Sequence, residues 1–216
     1  MKHRTRVKIC GISRPEDAEA AARFGADAIG MVFHASSTRA IDVHRAREIV
    51  TAVPPFVSTV ALVVDPLPED VQRVVEEIHP AFLQFHGNET PEFCAQFGVP
   101  YLRAIRMGEP GKTVDLLECR EKFHTASALL LDAFVMGVAG GAGQAFDWRQ
   151  IPAAMRPGIV LAGGLRPDNV EMAVKQVRPW AVDVSSGVEG STKGIKEHTR
   201  LREFIEAVRR ADESCN

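Results

Sequence analysis

Two residues stand out as able to move protons. Cys10 ends a short apolar run, Val7–Cys10, directly before Gly11, and Asp132 follows a run of three leucines. A thiol in such a place is either core packing or catalytic, and a carboxylate either pairs with a cation or does acid–base work. Arg39, in Ser37-Thr38-Arg39, closes the stretch that follows the second apolar run. Gln84 and His86 share the stretch Leu83-Gln84-Phe85-His86-Gly87, where His86 is either catalytic or a hydrogen-bonded structural histidine. Gly163-Gly164 and Ser185-Ser186-Gly187 suit an anion, because amides without side chains in the way approach a phosphate closely; the alternative is that these glycines only make tight turns. A third glycine set, including Gly141 and Gly143, is not a P-loop, since no Lys-Ser or Lys-Thr follows Gly143. It is not a dinucleotide fingerprint either, as Phe146 stands in the third glycine's place; it reads as a loop that closes over a site. Cys94 and Cys119 fall in helical stretches and Cys215 in the tail, and all three read as incidental. No His/Asp/Glu set has metal-ligand spacing, so no metal is expected.

These residues need a frame to bring them together. Short apolar runs alternate with amphipathic stretches along the whole chain. Strands are expected at Val7–Cys10, Ala28–Phe33, Phe56–Val64, Ala81–Phe85, Tyr101–Ile105, Ala128–Leu131, Ile159–Ala162 and Ala181–Val184. Helices are expected to start near Pro15, where Ser13 and Glu16 have capping-box spacing, and to cover Val43–Val53, Pro68–Ile78, Pro91–Phe97, Val114–Phe123, Trp148–Met155, Pro167–Val177 and Glu197–Arg210. Eight such units at about 25 residues each, with strands rich in Val, Ile, Leu and Ala, argue for parallel strands buried on both faces. The expected fold is α/β, a single (βα)8 TIM barrel over residues 1–216, with a doubly wound open sheet as the competing architecture. In a barrel, the residues just after each strand form the active-site rim. That rule collects Cys10-Gly11, Phe33–Arg39, Asp65, Gln84–Gly87, Arg106, Asp132, Gly163-Gly164 and Ser185–Gly187 at one end.

Composition excludes other classes. The 216 residues hold 26 basic and 28 acidic side chains, a formal net charge of −2, so no basic excess marks a nucleic-acid binder. The longest apolar runs are strand-sized, so no membrane span is expected, and the basic N-terminus leads into no signal-type apolar region. Scattered cysteines without a C-x-x-C pair fit free thiols in the cytoplasm.

The motifs together resemble the phosphoribosylanthranilate isomerase family of the tryptophan pathway. The matching pieces are Lys8-Ile9-Cys10-Gly11-Ile12, Ser37-Thr38-Arg39, Leu83–Gly87, Leu130-Leu131-Asp132, Gly140–Trp148, Leu161-Ala162-Gly163-Gly164-Leu165 and Val182–Glu189, in the family's order over nearly the whole chain. The resemblance implies a barrel of the ribulose-phosphate-binding type and an aldose–ketose isomerase without cofactor or metal. The implied reaction is the Amadori rearrangement of N-(5-phosphoribosyl)anthranilate to 1-(2-carboxyphenylamino)-1-deoxyribulose 5-phosphate. By motif position Asp132 is the acid that protonates the ring oxygen, Cys10 is the base that takes the C2′ proton, and Arg39 meets the anthranilate carboxylate. Gln84 contacts or supports the substrate, and Gly163, Gly164, Ser185, Ser186 and Gly187 hold the phosphate. Asp183 is expected below the phosphate site. Cysteine ordinarily titrates near ~8.5 and aspartate near ~3.9. Both are then in the wrong state at neutral pH, and the site must favour the thiolate and the protonated acid in the reactive complex. The implied partner is a small phosphorylated molecule, with the chain a monomer or homodimer.

Two departures concern loops. Ala142 stands where the family usually has Thr, and Gly190–Lys196 lacks the proline often found there. Rival enzymes fit less well. The histidine-pathway Amadori isomerases carry an aspartate at the Cys10 position and resemble two halves, and the barrel lyase indole-glycerol-phosphate synthase needs strand-end lysine and glutamate. A non-catalytic phosphate sensor on the same fold keeps the glycine loops but needs neither Cys10 nor Asp132.

Overall fold

A computed structural model of the chain describes residues 4–133 and 146–215. Gly141, Gly143 and the rest of their glycine loop lie outside the described residues. Eight strands, β1 (Arg6–Ile9), β2 (Ala28–Val32), β3 (Ser58–Val63), β4 (Phe82–Phe85), β5 (Tyr101–Met107), β6 (Ala128–Ala133), β7 (Ile159–Leu161) and β8 (Ala181–Val184), close into a barrel in chain order. Every pairing is parallel, and β1 closes on β8 through Arg6↔Ala181 to Ile9↔Val184. The helices are α1 (Pro15–Phe24), α2 (Val43–Ala52), α3 (Pro68–Ile78), α4 (Pro91–Ala95), α5 (Leu116–Lys122), α6 (Val170–Val177) and α7 (His198–Cys215).

Strand geometry sorts the side chains. Alternate residues of a strand face opposite sides. On β6, Leu129 and Leu131 join the large core between strands and helices, whereas Leu130 joins a small cluster of Ala104, Val160, Ala162 and Ala181 inside the barrel. Asp132 shares the parity of Leu130 and is therefore carried to the inner mouth. The same count puts Lys8 with Cys10, Gln84 with His86, and Asp183 with Ser185. Small residues dominate the interior layer, which leaves room for these polar groups.

Several local expectations change. The Ser13–Glu16 capping box does not form: Arg14 is the N-cap of α1, and the Ser13 hydroxyl donates instead to the Gly194 carbonyl at 2.7 Å. Arg14 turns its guanidinium onto Asp17 and Glu16, so Glu16 has a cation to meet rather than a backbone amide. The helix expected over Trp148–Met155 is replaced by two 3-10 turns, Trp148–Gln150 and Arg156–Gly158, because Pro152 and Pro157 withdraw the donors an α-helix needs. The helix expected from Pro167 begins at Val170, since the Asn169 side chain accepts from the Arg166 amide and donates to the Gly164 carbonyl, holding an open turn. β3 starts at Ser58, after a turn in which the exposed Phe56 has φ 73°. β5 runs on to Met107, so Arg106 lies within a strand rather than after it, and α7 extends to Cys215, which ends a helix rather than a loose tail.

Candidate active site

The mouth of the barrel holds a cavity lined by Cys10, Arg39, Gln84, His86, Asp132, Gly163, Gly164, Asp183, Ser185, Ser186 and Gly187 among others. Every sequence-predicted site residue that lies within the described part of the chain is on that wall. Around the rim the order is β6 with Asp132, β7 with Gly163-Gly164, β8 with Ser185–Gly187, and β1 with Cys10. The two glycine loops thus lie between the candidate acid and the candidate base. Arg39, after β2, stands on the far side of Cys10.

Beneath Cys10 lies a buried ion pair, Lys8 Nζ to Asp183 Oδ1 at 2.9 Å. Burial alone would lower the Lys8 ammonium's pKa, but the charges of Asp183 and Cys10 overcome it and raise it, so the cation persists. Burial raises the Cys10 thiol above its ordinary value; Lys8 and Lys196 pull it back, Asp183 pushes the same way as burial, and the net direction is upward.

On the other side two buried groups lead to the Asp132 carboxylate. His86 Nε2 lies 3.1 Å from Asp132 Oδ2, and Gln84 Nε2 lies 3.2 Å from His86 Nδ1. With the Gln84 amide donating to Nδ1, the neutral ring carries its proton on Nε2 and donates it to Asp132. The other amide atom, Gln84 Oε1, is buried with no hydrogen-bond partner among the described residues. A buried acceptor left open in this way is costly unless a ligand donor meets it. Arg106 Nη2 donates to the His86 carbonyl at 3.3 Å, so it fastens the β4 end. Asp65 is drawn into loop structure, accepting from the backbone amide of Asn88 at 2.5 Å and from its side-chain amide at 3.2 Å.

The glycine loops interlock. Gly163 and Gly164 take left-handed φ angles of 80° and 67°. A Cβ on Gly163 would meet the Ala133 backbone nitrogen at 2.1 Å, and one on Gly187 would meet the Leu165 carbonyl oxygen at 1.9 Å. Residues Ser186–Val188 form a 3-10 turn whose first bond runs from the Val188 amide to the Ser185 carbonyl. The amides of Ser186 and Gly187 precede that bond and have no partner within the turn.

Arg39 is gripped by a carboxylate, though one from the protein. Its Nε and Nη2 donate to Glu189 Oε1 and Oε2 at 2.6 and 2.8 Å. Lys196 Nζ donates to the same Glu189 Oε1 at 3.0 Å and to the Ser185 carbonyl at 3.1 Å. Burial opposes the charge on Glu189, but Arg39 and Lys196 together bring its pKa down to about 2. Burial lowers the pKa of Lys196, only partly offset by Glu189. Gly11, at φ 71°, lets the Arg39 stem pass, since a Cβ there would lie 2.4 Å from Arg39 Cδ.

Sequence reasoning left Glu189 and Lys196 without a role and that of Lys8 open. The signal for Lys8 was its parity with Cys10. Glu189 and Lys196 carried none, because their places depend on how the segment after β8 folds back over Asp17. The Asp17 carboxylate accepts from the Lys196 amide at 3.2 Å and lies 3.0 Å from His198 Nε2.

Comparison with known proteins agrees with this geometry. The family model for N-(5'-phosphoribosyl)anthranilate isomerase matches residues 7–207. A protein of that name from Pseudomonas aeruginosa strain UCBPP-PA14 is 53% identical over 211 residues, covering 97% of this chain and 98% of its own. Among solved structures, phosphoribosyl anthranilate isomerase from Thermotoga maritima superposes with a TM-score of 0.84 at 37% identity, covering 95% of this chain and 99% of its own. A phosphoribosyl anthranilate isomerase crystallised in complex with reduced 1-(o-carboxyphenylamino)-1-deoxyribulose 5-phosphate gives 0.78 at 34% identity, with the same coverage. A closed parallel barrel, a cavity with thiol and carboxylate on either side of two glycine loops, and a family match over nearly all the chain lead to one conclusion: this chain belongs to the phosphoribosylanthranilate isomerase family.

Proposed function

We propose that this barrel, working as one domain over residues 1–216, carries out the Amadori rearrangement of N-(5-phosphoribosyl)anthranilate. The observation that carries the proposal is the order of groups around the rim: acid, two glycine loops, base, arginine. A phosphate seated on the amides of Gly163, Gly164, Ser186 and Gly187, with Ser185 at the start of the turn, leaves the ribose between Asp132 and Cys10. The anthranilate carboxylate then reaches Arg39, whose Nη1 edge is not used by Glu189.

The steps follow from what each group can do. Asp132 gives its proton to the furanose ring oxygen as the C1′–O bond breaks, and the anthranilate nitrogen's lone pair forms the C1′=N iminium. Cys10, as thiolate, removes the C2′ proton; the C2′–H electrons become the C1′=C2′ bond of the enolamine and neutralise the iminium nitrogen. Tautomerisation of the enol to the C2′ ketone completes an isomerisation with no net gain or loss of atoms or electrons. His86 holds the Asp132 carboxyl in orientation, and a sugar hydroxyl satisfies the open Gln84 Oε1. Loss of water on binding strengthens the coupling between Cys10 and its flanking lysines, which supports the thiolate in the complex. The reaction needs only these side chains, and the expected setting is the cytoplasm.

The test is turnover of freshly generated phosphoribosylanthranilate, followed by loss of anthranilate-type fluorescence, with the histidine-pathway substrate in parallel. Wild type turns over the first. Cys10→Ala cuts the rate constant by at least ~100-fold, the low end for loss of a general base. Ligand binding without turnover by the wild type would overturn the proposal in favour of a phosphate-ligand sensor.

A further inference from the structure

We infer that Lys8, anchored by Asp183, is a positioning residue for Cys10: its ammonium is the counter-charge that makes the Cys10 thiolate attainable inside the barrel. The inference rests on the reading of Cys10 as the base. Lys8 and Cys10 lie two residues apart on β1 and so share its inner face. Gly30, on neighbouring β2, makes room for them to meet. A Cβ there would lie 3.0 Å from Cys10 Sγ and 3.1 Å from Lys8 Nζ. The ammonium hydrogen-bonds Asp183, and its charge acts on the Cys10 thiol beside it.

A purely structural purpose explains this arrangement poorly. Two charges buried within a barrel lose hydration, and an apolar pair of similar volume is often at least as stable there. An aliphatic cluster of Ala104, Leu130, Val160, Ala162 and Ala181 also fills the barrel interior. The ion pair is instead placed against the one thiol that lines the cavity. Three charged groups act on that thiol: Lys8 from β1, Asp183 from β8 and Lys196 from the segment after β8. Lys196 is committed to Glu189 and Ser185, and Glu189 in turn to Arg39. Asp183 works against the thiolate. Lys8 therefore supplies the main opposition to burial, and Asp183 holds the cation in place while moderating it.

This division of labour predicts opposite signs for two variants. The pH dependence of iodoacetamide alkylation at Cys10 is measured by mass spectrometry of its peptide, which separates it from Cys94, Cys119 and Cys215. In Lys8→Met/Asp183→Asn both charges go and burial acts nearly alone, so the alkylation midpoint moves up by roughly 1–3 pH units. In Asp183→Asn the ammonium keeps the thiolate as its only anionic neighbour within bonding reach, and the midpoint moves down. A merely structural ion pair would leave both midpoints where the wild type has them, or move both the same way; either result overturns the inference. If the double variant does not fold, Asp183→Asn, which conserves volume, decides by its sign alone. Alkylation reads the thiol whether or not it is the base. Shifted midpoints with normal turnover in Cys10→Ala would reject the catalytic assignment of Cys10 but keep the coupling. Unmoved midpoints with an inactive Cys10→Ala would do the reverse.

Discussion

Gly187→Ala tests the anion site through backbone packing alone. The substitution adds one methyl group and no charge. The added Cβ would stand 1.9 Å from the Leu165 carbonyl oxygen, where ordinary contact begins at 3.4 Å. The β7 and β8 loops must therefore separate by about 1.5 Å, and the clash is with backbone, which has no rotamer to offer. Misplacement of positioning groups by about 1 Å can cost on the order of 100-fold in rate. With the amides of Gly163-Gly164 on one loop and those of Ser186-Gly187 on the other, a phosphate can then reach only one set. We expect kcat/KM to fall about 100-fold or more, most of it in KM, with inorganic phosphate losing its ability to inhibit competitively. Gly190→Ala is the control from the same segment: its Cβ would find nothing nearer than 3.9 Å, and its φ is not left-handed. Steady-state kinetics on both variants, with thermal melting to confirm folding, decide the matter. A Gly187→Ala enzyme with wild-type KM would refute the two-loop phosphate site.

Three further outcomes follow from other parts of the site. Arg39→Ala should weaken binding of a carboxylated product analogue by roughly 10- to 150-fold, as for other charged hydrogen bonds. Lys should not substitute for it, because the fork that engages Glu189 on one edge and a ligand on another is particular to guanidinium; titration calorimetry checks both. Asp132→Asn should lower kcat at least ~100-fold while the product analogue still binds, and adding His86→Ala should cost far less than the two single effects combined, because the pair acts as a unit. Glu189 titrates at about 2 rather than 4.5, so its share of stability is complete above about pH 4.5 and is lost as the pH falls through the range down to 2. Chemical denaturation across that range should show a steeper loss for wild type than for Glu189→Gln.

How much of this was legible in the sequence varies with the range of the forces involved. Strand and helix order came through because apolar runs and turn residues act locally: Gly25 ends α1 at φ 107°, with its amide bonded to Ala21 and Ala22, as its position suggests. The boundaries that moved are those where a distant partner won. Ser13 left its helix for Gly194, and Asn169 held Gly164 rather than letting a helix start at Pro167. The candidate acid and base were legible because rim positions follow strand ends, and the family's motifs mark those ends. Their supports were not. His86 meets Asp132 across 46 residues, Arg39 meets Glu189 across 150, and Lys8 meets Asp183 across 175.

The sequence by itself determined that β1 would present Lys8 and Cys10 to one face and β8 Asp183 and Ser185, since a strand alternates whatever it packs against. It also determined, through its motifs, which family's chemistry to expect. Tertiary structure decided which of these faces meet. Closure of β1 onto β8 puts Lys8 opposite Asp183 in register, and the missing side chain of Gly30 leaves room beside it for both Lys8 Nζ and Cys10 Sγ. It also gave Arg39 to Glu189. The reason is physical: charge and hydrogen bonding act over a few ångströms in space, and only the closed barrel turns distances of more than a hundred residues into contacts of that length.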